Sequence, residues 1–63
     1  MKKDEARMEA RRRWGKHAVV ALSLPGRHIV ADSLQVRGVG ESWEAAFADA
    51  DERDKRDQEA RNE

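Results

Sequence analysis

Branched aliphatic residues crowd into one stretch, residues 17–40 (HAVVALSLPGRHIVADSLQVRGVG), while the chain on either side is dominated by charge. Within the stretch, short apolar runs are separated by turn residues, the pattern of strands. Leu24-Pro25-Gly26-Arg27 places Pro and Gly at the centre of a tight turn, where Pro fixes φ and Gly accepts φ > 0, so a hairpin is predicted. With Leu24 facing Arg27, Leu22 pairs with Ile29 and Val20 with Ala31. A second turn at Asp32-Ser33 returns residues 34–37 beside the middle strand, setting Leu34 opposite Ala31 and Val36 opposite Ile29. Strand side chains alternate between faces. This register therefore predicts a buried face of Ala18, Val20, Leu22, Leu24, Ile29, Ala31, Leu34 and Val36. The outer face carries His17, Val19, Ala21, Ser23, His28, Val30, Gln35 and Arg37.

The flanking segments read as helices. Residues 2–14 contain strong helix formers without Gly or Pro, and Gly15 supplies a stop. Ala6, Ala10 and Trp14 form a thin apolar stripe, with Trp14 as the anchor, while Met8 lies on another side. Glu9 is spaced to pair with Arg13. After the strands, Gly38 and Gly40 read as turn residues, Ser42 as an N-cap, and Trp43 as the start of a second helix. Trp43, Ala46, Phe47 and Ala50 share one helical face that should cover the sheet. Past Ala50 the same stripe turns into Asp54, Asp57 and Arg61, so the rest of the helix has nothing apolar to bury. Acid-before-base pairs at i, i+4 (Asp49–Arg53, Asp51–Lys55, Glu52–Arg56, Asp57–Arg61) support it by roughly 0.2–0.5 kcal/mol each. The predicted fold is α+β, in the order α-β-β-β-α. A C-terminal helix packs on one face of a small three-stranded antiparallel sheet, with the N-terminal helix at the periphery. One domain then comprises a basic helix (1–15), a β-meander (16–40) and an acidic helix (42–63).

Size and composition narrow the function. A chain of 63 residues with 41% charged and 38% hydrophobic residues has a small core, and without cysteine it has neither disulfides nor a thiolate-bound zinc. A monomer or weak homodimer is expected. No apolar run approaches the roughly 18 residues of a membrane span and the N-terminus lacks the apolar segment of a signal peptide, so the expectation is a cytoplasmic protein without a membrane partner. Net charge is zero but unevenly spread: +4 over residues 1–17, +1 over 18–40 and −5 over 41–63. Such segregation suggests two differently charged surfaces, or ends that attract one another.

Catalytic chemistry finds little footing. The predicted register sets Ser23 across from His28, but nothing orients the histidine, no oxyanion donor is evident, and a single small sheet offers no deep pocket. The expectation is a non-enzyme without a cofactor. His17 and His28 fall at opposite ends of their strands, which does not make a zinc site. Gly38 and Gly40 match no phosphate-binding loop, and Glu41 would repel an anion there. Two charged surfaces remain. Asp49, Asp51, Glu52, Asp54, Asp57 and Glu59, spaced along a helix, can occupy a Lys/Arg groove of a partner built to hold phosphates. Alternatively Arg7, Arg11, Arg12, Arg13 and Lys16 can contact nucleic-acid phosphates directly, although the strands lack aromatic residues on which bases could stack.

Residues 36–50 (VRGVGESWEAAFADA), a strand running through glycines into a capped amphipathic helix, resemble part of the HicB-type antitoxins. In that family a small sheet packs on a helix that begins with Ser or Thr followed by Glu-Ala, much as Ser42, Glu44 and Ala45 stand here. The family adds a DNA-binding module after this helix, whereas this chain continues as DERDKRDQEARNE. The resemblance implies an antitoxin-like regulator. As a very short, cysteine-free α-β chain with an acidic helix, the protein also resembles the small accessory proteins of phages and mobile elements, anti-CRISPR proteins among them. That resemblance implies a stoichiometric inhibitor, a DNA mimic, that docks on a nucleic-acid-binding defence complex of a bacterial host.

Overall fold

The computed structural model describes residues 1–61; Asn62 and Glu63, the end of the predicted acidic helix, lie outside them. The elements follow the predicted order: α1 (Lys3–Trp14), β1 (Val19–Ser23), β2 (Arg27–Ala31), β3 (Val36–Gly40) and α2 (Trp43–Arg61). The strands form an antiparallel sheet in the order β1-β2-β3. Both helices contribute to one core on the same face of this sheet, α1 against β1 and α2 against β3 and β2.

Local signals set the ends of the helices. The Lys2 amide donates to Glu5 Oε1 at 3.2 Å where α1 begins. At its C-terminus Gly15, with φ +99°, donates to the Arg11 carbonyl. Ser42 caps α2 as predicted, its hydroxyl accepting from the Ala45 amide at 3.0 Å. Trp43, Ala46, Phe47 and Ala50 are the residues α2 buries, and every described residue beyond Ala50 is exposed. The first helix does more than sit at the periphery. Ala6 and Ala10 are fully buried, and the Trp14 ring stacks on Phe47 with 6.0 Å between centroids, tying α1 to α2.

The sheet departs from its predicted register by one residue. The hairpin closes with Gly26 donating to the Ser23 carbonyl, and the Leu24-Pro25 peptide bond is cis. Since the turn starts at Ser23, Ser23 pairs with Arg27, Leu22 with His28, Ala21 with Ile29, Val20 with Val30 and Val19 with Ala31. The predicted pairs Leu22–Ile29 and Val20–Ala31 do not form. A one-residue slip exchanges the two faces of a strand. Val30, expected outside, is completely buried beside Ala18, whereas Ile29 and Ala31 turn to the outer face. Leu24 and Leu34, expected in the core, are 93% and 91% exposed, and Leu22 and Val36 are also exposed.

The second turn is longer than predicted. Asp32 accepts hydrogen bonds from the amides of Leu34 and Gln35, both at 2.8 Å, so residues 33–35 belong to the turn and β3 starts only at Val36. Ala31 then faces Val36, a bulge follows, and Val30 faces Gly38, Ile29 faces Val39 and His28 faces Gly40. Gly38 and Gly40 are thus strand residues on the core face. A Cβ on Gly38 would overlap the Ala46 carbonyl oxygen and come within 2.8 Å of the Ala50 amide nitrogen. One on Gly40 would lie 2.7 Å from the Ala45 carbonyl carbon and the Ala46 amide nitrogen. Two glycines on β3 therefore meet a small-residue stripe on α2, and the helix backbone rests directly on the strand.

This contact predicts that Gly38→Ala destabilises the protein by about 1–3 kcal/mol or more through overpacking. Leu34→Ala, at an exposed position, should stay within about 0.5 kcal/mol of the parent. Urea unfolding of both variants checks this; a loss above about 2 kcal/mol for Leu34→Ala, as for a core leucine, would contradict the observed turn.

Candidate functional site

The acidic positions of α2 divide into residues that serve the fold and residues that do not. The Asp49 carboxylate accepts from the Val39 amide at 3.0 Å, closing the outer edge of β3, and pairs with Arg53 at 3.0 Å. Asp51 receives Arg13 of α1 at 2.8 Å in place of the Lys55 pairing predicted for it. Asp54 lies 3.8 Å from Arg37, whose guanidinium also meets Asp32 at 2.6 Å. Glu52 holds Arg56 at 3.7 Å, as its i, i+4 spacing predicts. Asp57 and Glu59 have no ion-pair partner among the described residues, and both are exposed. A shallow cleft lined by Gln35, Val36, Arg37, Arg53, Asp54 and Asp57 runs between the end of the sheet and this half of the helix.

The basic positions of α1 divide in the same way. Arg13 is a structural residue. Its Nε meets Glu9 at 2.6 Å, its Nη1 meets Asp51, and its guanidinium stands 4.8 Å from the Phe47 ring centre. Arg12 forks onto Glu9 with bonds of 3.0 and 2.6 Å. Hydrogen bonds from Arg12 and then Arg13 hold the Glu9 carboxyl down at about 2. Glu9 therefore contributes its full share of stability above its ordinary value of 4.5 and loses it as pH falls through about 2. Asp32 is likewise lowered, by the amides of Gln35 and Leu34 and by Arg37. Arg11 and Lys16 are exposed, and among the described residues Arg7 reaches only Asp4, at 3.9 Å. Of the five predicted phosphate-contacting residues, Arg7, Arg11 and Lys16 thus keep their charge available, while Arg12 and Arg13 are engaged within the protein.

The predicted Ser23–His28 juxtaposition does not form, because Ser23 sits opposite Arg27. His28 instead packs edge-on against Trp43, 4.6 Å between centroids, and its Nδ1 lies 3.0 Å from the Gly26 carbonyl. A carbonyl can only accept, so Nδ1 carries the proton and the ring is oriented by the hairpin turn. His28 is thereby a core-edge residue, where a solvent-facing one was expected. Among the described residues no helix is long and apolar enough to cross a membrane.

Two further surfaces depend on the observed register, one of them the outer face on which Val19 and Ala21 lie as predicted. Cross-strand rows Ala21–Ile29–Val39 and Val19–Ala31–Val36 build an apolar outer face that neither helix covers. The outer edge of β1 is the other. Arg13→Ala should lower stability by about 1–2 kcal/mol, having lost its ion pairs and its contact with Phe47. Arg11→Ala should remain within about 0.5 kcal/mol, and thermal unfolding of both variants checks this difference.

No family model matches the chain, and no curated protein or solved structure matches it either.

Proposed function

We propose that this protein is a non-catalytic inhibitor, of the anti-CRISPR type, that docks the protruding half of α2 into a basic groove of a nucleic-acid-binding complex of the host. One observation carries the reading: α2 continues to Arg61 although no described residue beyond Ala50 is buried. A helix that buries no apolar surface adds little to a small core, and its value lies in what it presents. What it presents is charge at helical spacing. Because Asp49 and Asp51 serve the fold, the contact narrows to Glu52, Asp54, Asp57 and Glu59, of which Asp57 and Glu59 have no ion-pair partner among the described residues. A Lys/Arg groove built for phosphates attracts such a surface and steers its approach. The phage or mobile-element setting follows from the resemblance in size, composition and fold order. The runner-up is a small nucleic-acid-binding or antitoxin-like regulator that uses Arg7, Arg11 and Lys16.

A pull-down from bacterial lysate, with and without nuclease and read by mass spectrometry, separates the two. The inhibitor reading expects nuclease-resistant capture of a nucleic-acid-binding complex that added heparin releases. Capture should be lost when Asp57→Lys and Glu59→Lys are combined, with the far-ultraviolet circular dichroism unchanged. Undiminished capture by that variant contradicts the acidic-helix contact. Recovery of nucleic acid alone, lost on Arg7→Ala with Arg11→Ala, favours the regulator.

A further inference from the structure

The two edges of the sheet are treated differently. At β3 the Val39 amide points outward and is satisfied by Asp49, the strand carries the charge of Arg37, and a bulge interrupts its pairing. These are devices that stop a strand from pairing further. At β1 none of them is present: Val19–Ser23 reads VVALS, without charge, proline or glycine. In an antiparallel ladder, successive residues point their amide and carbonyl groups alternately to one neighbour and to the other. Since Val39 points away from β2, its partner Ile29 points toward β1, and Ala21 opposite Ile29 points inward to meet it. Val20 and Leu22 therefore direct their amides and carbonyls outward from the sheet.

A row of cations overhangs this open edge. On α1 the core side is marked by Ala6 and Ala10, and the side toward α2 by Arg13 on Asp51 and the N-terminal amine on Glu44. Lys3, Arg7 and Arg11, at i, i+4 and i+8, occupy the opposite flank, and α1 lies on β1, so that flank faces beyond the β1 edge. Residues four apart on a helix are separated by about 6 Å along its axis. Alternate residues of a strand are separated by about 6.6–6.8 Å. An extended segment laid along β1 would bring every second side chain under one cation of the row.

We propose that the β1 edge accepts an extended segment of a partner protein as a fourth strand, acidic at alternate positions and apolar between them. Backbone bonds to Val20 and Leu22 hold the segment, its carboxylates meet Lys3, Arg7 and Arg11, and its apolar side chains extend the outer face beside Val19 and Ala21. A second copy of this chain is a poor occupant, since pairing β1 with β1 would set two cationic flanks against each other. Nucleic acid could meet the cations but leaves the strand's outward groups without partners. This surface is independent of the acidic end of α2.

The test is a titration of the full chain with a synthetic peptide of about eight residues alternating Glu and Val, followed by amide NMR and hydrogen exchange. The amides of Val20 and Leu22 should shift and gain protection. Combining Arg7→Glu with Arg11→Glu should weaken binding at least about tenfold, or about 1.4 kcal/mol. Leu22→Pro, which removes one outward amide at an edge position that tolerates proline, should abolish binding while the remaining spectrum stays folded. Equal binding of a Lys-Val peptide, or no change at Val20 and Leu22, overturns the proposal. So would protection of those amides that rises with protein concentration alone, which would assign the edge to a second copy. A duplex oligonucleotide that perturbs Lys3, Arg7 and Arg11 more strongly than the Glu-Val peptide would assign the row to nucleic acid.

Discussion

A helix backbone resting on a strand backbone, with no side chain between them, is the contact on which this fold depends. Gly38 and Gly40 leave the core face of β3 bare, and Ala46 and Ala50 are the residues of α2 that come down on it. So close an approach lets a chain with few large apolar residues exclude water. It brings Phe47 and Trp43 over the strands, where Phe47 stacks on Trp14 and Trp43 meets His28. Dispersion scales with the number of atoms in contact, and a small core gains from closeness what it lacks in bulk.

The same contact decides which face of the sheet is buried. A turn centred between Leu24 and Arg27 would put Ile29, Leu34 and Val36 on the buried face, whereas the observed pairing of Ser23 with Arg27 turns them away from it. The element order, the Ser42 cap, the stripe from Trp43 to Ala50 and the exposed end of α2 were all legible, because capping and periodicity are local. The register was not, since it depended on whether the first turn begins at Ser23 or Leu24 and on how far Asp32 extends the second. Gly38 and Gly40 held the missing signal: two glycines at i, i+2 are as consistent with a strand approached closely by a helix as with a turn. Val30 is buried because it pairs with Gly38, and Ile29 is turned outward for the same reason.

Charge segregation along the sequence also has a structural meaning that composition alone does not reveal. Part of it holds the two helices together, through Arg13 with Asp51 and the N-terminal amine with Glu44. Asp49 closes a sheet edge. What remains is separated in space, with Lys3, Arg7 and Arg11 on the flank above β1, and Asp57 and Glu59 on the free half of α2. Arg12, Arg13, Asp49 and Asp51 looked like functional charges in the sequence; helical spacing marked the Glu9–Arg13 and Asp49–Arg53 pairs but not the contacts of Arg13 with Asp51 or of Asp49 with the Val39 amide. Those two contacts arise only when α1 is docked beside α2 and α2 beside β3; the thin Ala6–Ala10–Trp14 stripe was enough to suggest the first docking but not to place it.

The most direct measurement of the central contact is a proton NOE map of the folded protein. Close approach of α2 to β3 predicts strong contacts from the Gly38 α-protons to the methyl groups of Ala46 and Ala50, and from Val30 methyls to the Phe47 or Trp43 ring. Contacts from Ile29 or Leu34 methyls to those rings, with none from Gly38 to the alanines, would contradict it and restore the aliphatic face as the core.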